Sequence, residues 1–184
     1  LYGRRCVAQV GSASSVGLPP YLASLIISET ALPESQEDAT GKTGLYRMLR
    51  PYGGIACALS ADGSVHVAAT CRGPLPGAAP WTHQYGDAGN SVASQDDRVK
   101  LPLGLLWFGG PPNDAVLPRH GHGPAPQVVG GRLFIEGEDM LRAVDVYTGR
   151  LLWEKPLPGI GFYYRNTYHH PGANEIGSNY VSLP

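Results

Sequence analysis

Alternating apolar and polar positions predict a run of β-strands in the second half of the chain. Residues 141–146 alternate sufficiently for a strand, and Leu-Leu-Trp at 151–153 begins the strand that returns. Thr-Gly at 148–149 lies between them and predicts a tight turn, because glycine adopts positive φ without steric cost. Two more strands, at 127–131 and 132–136, precede this hairpin. The pattern therefore predicts four consecutive strands joined by short turns.

A short segment upstream is similar in sequence to part of the hairpin, which indicates a repeat. Gly-Leu-Leu-Trp at 104–107 resembles Arg-Leu-Leu-Trp at 150–153, and the two tryptophans lie 46 positions apart. Families built from four-stranded propeller blades recur at roughly 40 to 50 residues. Glu138 and Asp139 supply a turn into the strand at 141–146. The spacing therefore favours a β-propeller blade.

The hairpin also resembles a known repeat, that of pyrroloquinoline-quinone-type β-propellers. Its pattern is Ala-x-Asp-x-x-Thr-Gly-x-x-x-Trp, and its fixed positions are Ala143, Asp145, Thr148, Gly149 and Trp153. Such propellers include quinoprotein alcohol dehydrogenases, as well as outer-membrane assembly lipoproteins that share the fold without the cofactor. Residues 81–94 are similar to the strand and loop that open these propellers. The resemblance covers about 81–184, and it implies antiparallel sheet from one complete blade and the edge of another.

The repeat residues are expected to build the blade rather than to catalyse a reaction. We expect Asp145 to accept backbone N–H bonds and fix the hairpin, and Gly149 to adopt positive φ. Trp153 is expected to be substantially buried beside the strand that contains Ala143. The motif is specific for the fold and only weakly informative about function, so catalytic and cofactor-binding residues stay unknown. The resemblance implies that the remaining blades of the parent chain are its partners.

The first sixty residues follow a different pattern. Residues 5–10 and 22–27 read as strands, and 55–59 reads as a third. Before that third strand, apolar residues fall on one face of a short predicted helix, namely Leu45, Met48 and Leu49. The order strand, strand, helix, strand favours part of a parallel α/β sheet.

This region resembles the second half of a Rossmann-like S-adenosylmethionine-dependent methyltransferase. Residues 49–54 are similar to the Leu-(Lys/Arg)-Pro-Gly-Gly turn of that family, with Tyr52 as an extra residue. Glu29 follows the 22–27 strand, where α/β enzymes place site residues, and its role stays open. The cofactor-holding glycine-rich loop is not in this sequence. Gly-x-Gly at 121–123 and 159–161 opens no strand-to-helix crossover, so neither receives a cofactor role.

We therefore expect a mainly β chain with an N-terminal α/β Rossmann-like fragment. Residues 1–62 are assigned to the methyltransferase-like domain, 63–80 to a Pro/Gly-rich linker and 81–184 to the propeller, with the change of pattern near residue 73. The chain begins without methionine and ends in what looks like another strand. We accordingly expect it to be a fragment of a longer protein.

Composition narrows the classes of partner. The net charge is −1, which gives no basic field for nucleic acid, and no apolar run reaches the length of a membrane span. The 25 glycines and 17 prolines punctuate apolar runs, as suits a turn-rich β protein. The three cysteines form no Cys-x-x-Cys pair, so no zinc site is predicted. We expect Cys6 and Cys57 to be free, buried thiols rather than partners in a disulfide.

Two groups of side chains are candidates for ligand binding. Histidines with metal-like spacing occur at His120 and His122, and at His169 and His170 with Glu175. We favour loop histidines that cap turns or face solvent, and predict no metal. The predicted loop at 161–170 carries groups that bind planar ligands, namely Tyr163, Tyr164, Arg165 and Tyr168. Aromatic packing between blades is the favoured interpretation there.

Two classes of function remain open. One is a binding or scaffold module, catalytically silent by itself and fused to a methyltransferase-like domain. The other is part of an enzyme, either an active methyltransferase or a quinone-dependent dehydrogenase. Pyrroloquinoline quinone or S-adenosylmethionine is a candidate cofactor for the full-length parent, and neither is expected to bind this stretch alone. A quinone site would also need several oxygen ligands for calcium.

Overall fold

The computed structural model describes residues 2–3, 5–12, 15–29, 44–58, 70–112, 116, 124–161 and 180–183. These residues are mainly β-structure with one short helix. The elements are β1 (Leu25–Ser28), α1 (Gly44–Met48), β2 (Ile55–Ala58), β3 (Thr70–Cys71), β4 (Gln127–Val129), β5 (Arg132–Gly137), β6 (Met140–Asp145) and β7 (Leu151–Pro156). No helix in this described part is long and apolar enough to cross a membrane. The chain divides into two compact units, Leu1–Gly73 and Pro74–Pro184.

The first unit contains a three-stranded sheet with one parallel pair. β1 pairs with β2 in parallel, with Leu25 opposite Ile55 and Ile27 opposite Cys57. β2 pairs with β3 antiparallel, with Ile55 opposite Cys71. Parallel neighbours need a crossover connection, and α1 lies in the segment that joins β1 to β2. The predicted strand, helix, strand order is therefore present between residues 25 and 58.

The turn at 49–54 is fixed by backbone bonds and by a buried arginine. Arg72 is 3% exposed, and its guanidinium donates to the carbonyl oxygens of Tyr46, at 3.0 Å, and Leu49, at the end of α1. Cations stabilise helix C-termini because the last carbonyls have no partner within the helix. A Cβ on Gly54 would lie 2.8 Å from the Arg50 nitrogen, so the close approach of the chain requires glycine there.

Two expectations for the first unit are wrong. Residues 5–10 form no strand and are exposed, and only an isolated bridge joins Tyr2 to Cys6. No neighbouring described strand takes up the hydrogen bonds of this segment, so its apolar pattern alone does not make it a strand. The cysteines are free, as predicted, but Cys6 is exposed and Cys57 is half-buried rather than buried.

The second unit contains the four predicted strands as one antiparallel sheet. β4, β5, β6 and β7 pair in chain order. The β5–β6 register places Phe134 opposite Ala143, and the β6–β7 register places Ala143 opposite Trp153, with an irregularity at Ala143/Val144. Beyond β4, the backbones of Trp81 and Val128 exchange two hydrogen bonds of 2.8 Å. The antiparallel sheet expected from the sequence is present in this unit.

The segment at 104–107 is similar in sequence to 150–153 but does not form a strand as that segment does. Residues 103–110 have no regular structure, and several of their apolar side chains are exposed, including Leu103, Leu105 and Phe108. No described strand lies in register with this segment. Trp107 is the exception, because its ring packs on another part of the unit.

Candidate functional site: the turn after β6 and its tryptophan

The turn between β6 and β7 is organised by one buried carboxylate. Asp145 is completely buried, and its Oδ1 accepts hydrogen bonds from the backbone nitrogens of Tyr147 and Thr148, both at 3.0 Å, and from the Thr148 hydroxyl at 3.1 Å. Its main-chain carbonyl accepts from the Gly149 nitrogen at 2.8 Å. The carboxylate thus satisfies donors that the turn removes from the sheet. This arrangement builds structure and presents no free carboxylate to a substrate.

Gly149 gives the turn a flat surface against which Trp107 packs. Gly149 has a φ of 69°, and a Cβ there would lie 2.7 Å and 2.8 Å from Cζ3 and Cδ2 of Trp107. The Trp107 indole nitrogen donates to the Val146 carbonyl at 2.8 Å. A tryptophan far upstream in the sequence therefore covers the turn, by both ring contact and hydrogen bond.

The position of Ala143 between two aromatic residues favours a small side chain there. Phe134, Ala143 and Trp153 are cross-strand neighbours on one face of the sheet. Ala143 is completely buried, while the Phe134 and Trp153 rings tilt towards each other with centroids 5.9 Å apart. A larger side chain at 143 would separate the two rings, whose planes meet at 55° in a tilted aromatic contact.

Trp153 is 39% exposed, so the expectation of a substantially buried tryptophan is wrong. β7 is the outermost strand of the described sheet and pairs with β6 alone among the described strands. The ring packs beside the Ala143 strand as expected, yet only part of its surface is covered.

The opposite end of the sheet is closed by a second aspartate. Asp139 lies in the β5–β6 turn with a φ of 55°, a conformation that aspartate tolerates better than most residues. Its Oδ1 accepts from the Gly159 nitrogen at 2.8 Å, and its backbone bonds to Leu157 and Ile160. The turn predicted at Glu138–Asp139 therefore also holds the segment that leads into the predicted 161–170 loop.

Gln127 joins the first strand of the sheet to the segment 180–183. Its side chain is completely buried, donates to the Tyr180 carbonyl at 2.6 Å and accepts from the Ser182 nitrogen at 2.8 Å. The amide thus takes the place of a backbone peptide in pairing with an extended segment. Sequence patterning did not single out Gln127, although a polar residue at the start of an apolar strand was an available signal.

Two aspartates order the loop that follows Trp81. The Ser91 hydroxyl donates to Asp87 at 2.7 Å and, with backbone bonds from Ser91 and Gly89, holds the pKa of that carboxyl below its ordinary value. Partial burial raises the pKa of Asp96, but the N–H groups of Arg98, Val99 and Ala79 outweigh that effect and leave it lowered. The Asp87 carboxylate is bonded within the loop, and the Asp96 carboxylate also bonds the preceding turn at Ala79, so both have a structural role.

The other candidate residues are not brought together in the described part of the chain. The histidines, Glu175 and the aromatic and arginine side chains of the 161–170 loop lie outside the described residues, and so does the 121–123 glycine pair. Glu29 follows β1 and is exposed. Within the described ranges, no three His, Cys, Asp or Glu side chains lie close enough to hold a metal ion.

A cavity of about 420 Å³ in the first unit carries no obvious chemistry. Its described lining is Val7, Gln9, Gly11, Ser12, Val16, Leu18 and Met48, none of which is ionisable. Hydroxyl, amide and apolar groups without a charged partner do not define a catalytic site.

The chain is similar to part of two curated dehydrogenase subunits. It is 32% identical over 105 residues to the glycerol dehydrogenase large subunit of Gluconobacter oxydans (strain 621H), and equally to that of Gluconobacter thailandicus. The matched region covers 56% of this chain and 12% of each relative, so the chain spans only a small part of their length. No protein-family model matches the chain. The search of solved structures gave no significant match.

Proposed function

We propose that the second unit forms about one to two blades of a quinoprotein-like β-propeller and acts as a binding or scaffold module, catalytically silent by itself. The observation that carries this proposal is the turn after β6. The hydrogen bonds of Asp145 and the open surface of Gly149 serve to hold the turn and receive Trp107. Motif residues used in this way stabilise a repeated fold rather than catalyse a reaction.

The partner of this unit is proposed to be the remaining blades of the parent chain. Trp107 packs on the turn at 146–149, and Trp153 lies in the same sequence context 46 positions later, half-exposed. In our proposal, the turn of a following repeat receives Trp153 as the turn at Gly149 receives Trp107. Each blade would then be tied to its neighbour by one tryptophan.

Acrylamide quenching of single-tryptophan variants tests this arrangement. Variants retaining only Trp107 or only Trp153 are made by Trp→Phe substitution, both in the 184-residue chain and in a chain extended through further parent sequence. We expect Trp107 to be protected in both chains, and Trp153 to become protected only in the longer one, when both chains are kept at concentrations at which the 184-residue chain is monomeric. Equal quenching of Trp153 in the two chains would contradict the proposal.

A quinone-dependent dehydrogenase is the second candidate for the parent protein. The similarity to two glycerol dehydrogenase large subunits favours it, because dehydrogenase is also the enzyme class that the repeat motif implies. A quinone of this kind would be accompanied by calcium. Among the described residues, no three His, Cys, Asp or Glu side chains lie close enough to hold a metal ion, so we assign no residue to bind calcium or the quinone.

We also propose that residues 1–62 belong to a methyltransferase-like α/β domain and that 63–80 links it to the propeller unit, although β3 and Arg72 within that linker pack on the first unit. The parallel β1–β2 pair and the α1 crossover favour a Rossmann-like arrangement. The similarity carried by the turn at 49–54 supports the choice of family.

Calorimetric titration separates these candidates. The 184-residue chain is titrated with S-adenosylmethionine and, in the presence of calcium, with pyrroloquinoline quinone. We expect no saturable heat from either ligand, whereas the full-length parent should bind the one that matches its activity. Saturable binding by the 184-residue chain would contradict the silent-module proposal.

A further inference from the structure

Two cysteines lie on one open face of the sheet in the first unit. Ile55 is opposite Cys71 in the antiparallel β2–β3 register, so their side chains share a face. Cys57 lies two positions further along β2 and therefore on that same face. Both thiols are free, with Cys71 exposed and Cys57 half-buried. The two cysteines are thus diagonal neighbours on adjacent strands.

Diagonal spacing disfavours a disulfide and suits a bridging ion. Diagonal Cα atoms in an antiparallel pair are about 7–8 Å apart, beyond the roughly 4.4–6.8 Å of most disulfides. A metal–thiolate bond is about 2.3 Å long, so an ion between two sulfurs spans the additional distance. The register therefore allows two thiolates to hold one ion without a shift of the backbone.

The surroundings select the kind of ion. No third His, Cys, Asp or Glu joins the pair among the described residues, and a structural zinc site requires four ligands. The described neighbours on the same face are Leu25, Ile27 and Ile55, whose side chains offer no oxygen to a hard cation. Thiolates in apolar surroundings favour soft ions such as monovalent copper.

We propose that Cys57 and Cys71 form a two-thiolate site for Cu(I). On binding, each thiol releases its proton to solvent, and the ion is held between two sulfurs with no change in oxidation state. Cys71, as the exposed member of the pair, gives the ion access from solvent. The site belongs to the first unit and does not depend on the function proposed for the second.

Anaerobic titration with Cu(I) against the chromophoric chelator bathocuproine disulfonate tests the site. We expect the 184-residue chain to take one ion from the chelator, and Cys57→Ser and Cys71→Ser each to abolish that uptake. Cys6→Ser is the matched control, since Cys6 is a free, exposed thiol of the same unit, and it should retain full uptake. Retention of uptake in either Cys57→Ser or Cys71→Ser, or its loss in Cys6→Ser, would overturn the proposal.

A thiol-bridging reagent tests the geometry without changing either cysteine of the pair. Dibromobimane becomes strongly fluorescent when both of its arms react with thiols. We expect fluorescence in the Cys6→Ser chain, suppressed when Cu(I) is added first, and little when Cys57 or Cys71 is also replaced. Absence of bridging in the folded Cys6→Ser chain, or bridging that copper does not suppress, would refute the site.

Discussion

Asp145 shows how much of a turn one side chain can hold. Three donors converge on its Oδ1 at 3.0–3.1 Å while the residue is completely buried. We expect Asp145→Ala to lower the free energy of unfolding by about 2–3 kcal/mol, because three half-buried donors lose their acceptor. Urea denaturation of the 184-residue chain measures the loss.

Asp145→Asn is the matched control, because an amide keeps one oxygen acceptor in nearly the same place. Its loss of stability should be clearly smaller than that of the alanine variant. If the alanine variant were as stable as the unsubstituted chain, the carboxylate would not be what holds the turn.

Gly149 allows backbone strain to be separated from crowding. Gly149 and Gly159 both have positive φ, 69° and 88°. Of the two, Gly149 packs against the ring of Trp107, whereas a Cβ on Gly159 would meet nothing within 4 Å. Gly159→Ala should cost about 1–2 kcal/mol from left-handed strain alone. Gly149→Ala should cost more, because its methyl group would overlap Trp107. Denaturation midpoints measure both, and equal losses would show that the Trp107 contact does not constrain residue 149.

At the scale of elements, local signals predicted the strands of the second unit, whereas the strand predicted at 5–10 did not form and non-local contacts determined the rest. Alternation and turn residues lie within a few positions of each other, so the order β4 to β7 and the turn at Glu138–Asp139 followed from the sequence. The exposure of Trp153 depends on what lies beyond β7, which no local pattern records. Likewise, Arg72 reaches α1 and Gln127 reaches residue 182 across long chain separations that residue spacing does not predict.

The loop before the sheet contains a carboxylate, Asp96, whose contribution to stability depends on pH. Asp96 accepts from Ala79, Arg98 and Val99, which joins the 96–99 segment to the 77–79 turn. The pKa of Asp96 is lowered from its ordinary 3.8, so its contribution to stability is present above that value and is lost as the pH falls below it.

We therefore expect Asp96→Asn to lose less stability than the unsubstituted chain between about pH 5 and about pH 2. Urea denaturation across this pH range measures the difference. Asp97→Asn, which changes the adjacent exposed residue and keeps the Asp96 bonds, is the control and should follow the unsubstituted chain. Parallel acid profiles for all three chains would exclude Asp96 as the titrating group.

At the scale of the whole molecule, the described second unit exposes both a sheet edge and an apolar segment. β7 is the last strand of its sheet, with Leu151 53% exposed, and the 99–108 segment has exposed leucines such as Leu105. Unpaired strand edges are templates for pairing with another chain. Exposed apolar residues outside a strand also promote association, but they do not require strand pairing.

We expect the isolated 184-residue chain to self-associate through β7, in accordance with a sheet that needs neighbouring blades. Leu151→Lys should shift sedimentation velocity profiles towards monomer, because a lysine on an edge strand opposes pairing. Leu105→Lys adds the same charge to the apolar segment without touching the sheet edge, and should leave association unchanged. If Leu105→Lys dispersed the assemblies and Leu151→Lys did not, the 99–108 segment rather than β7 would be the surface that requires a partner.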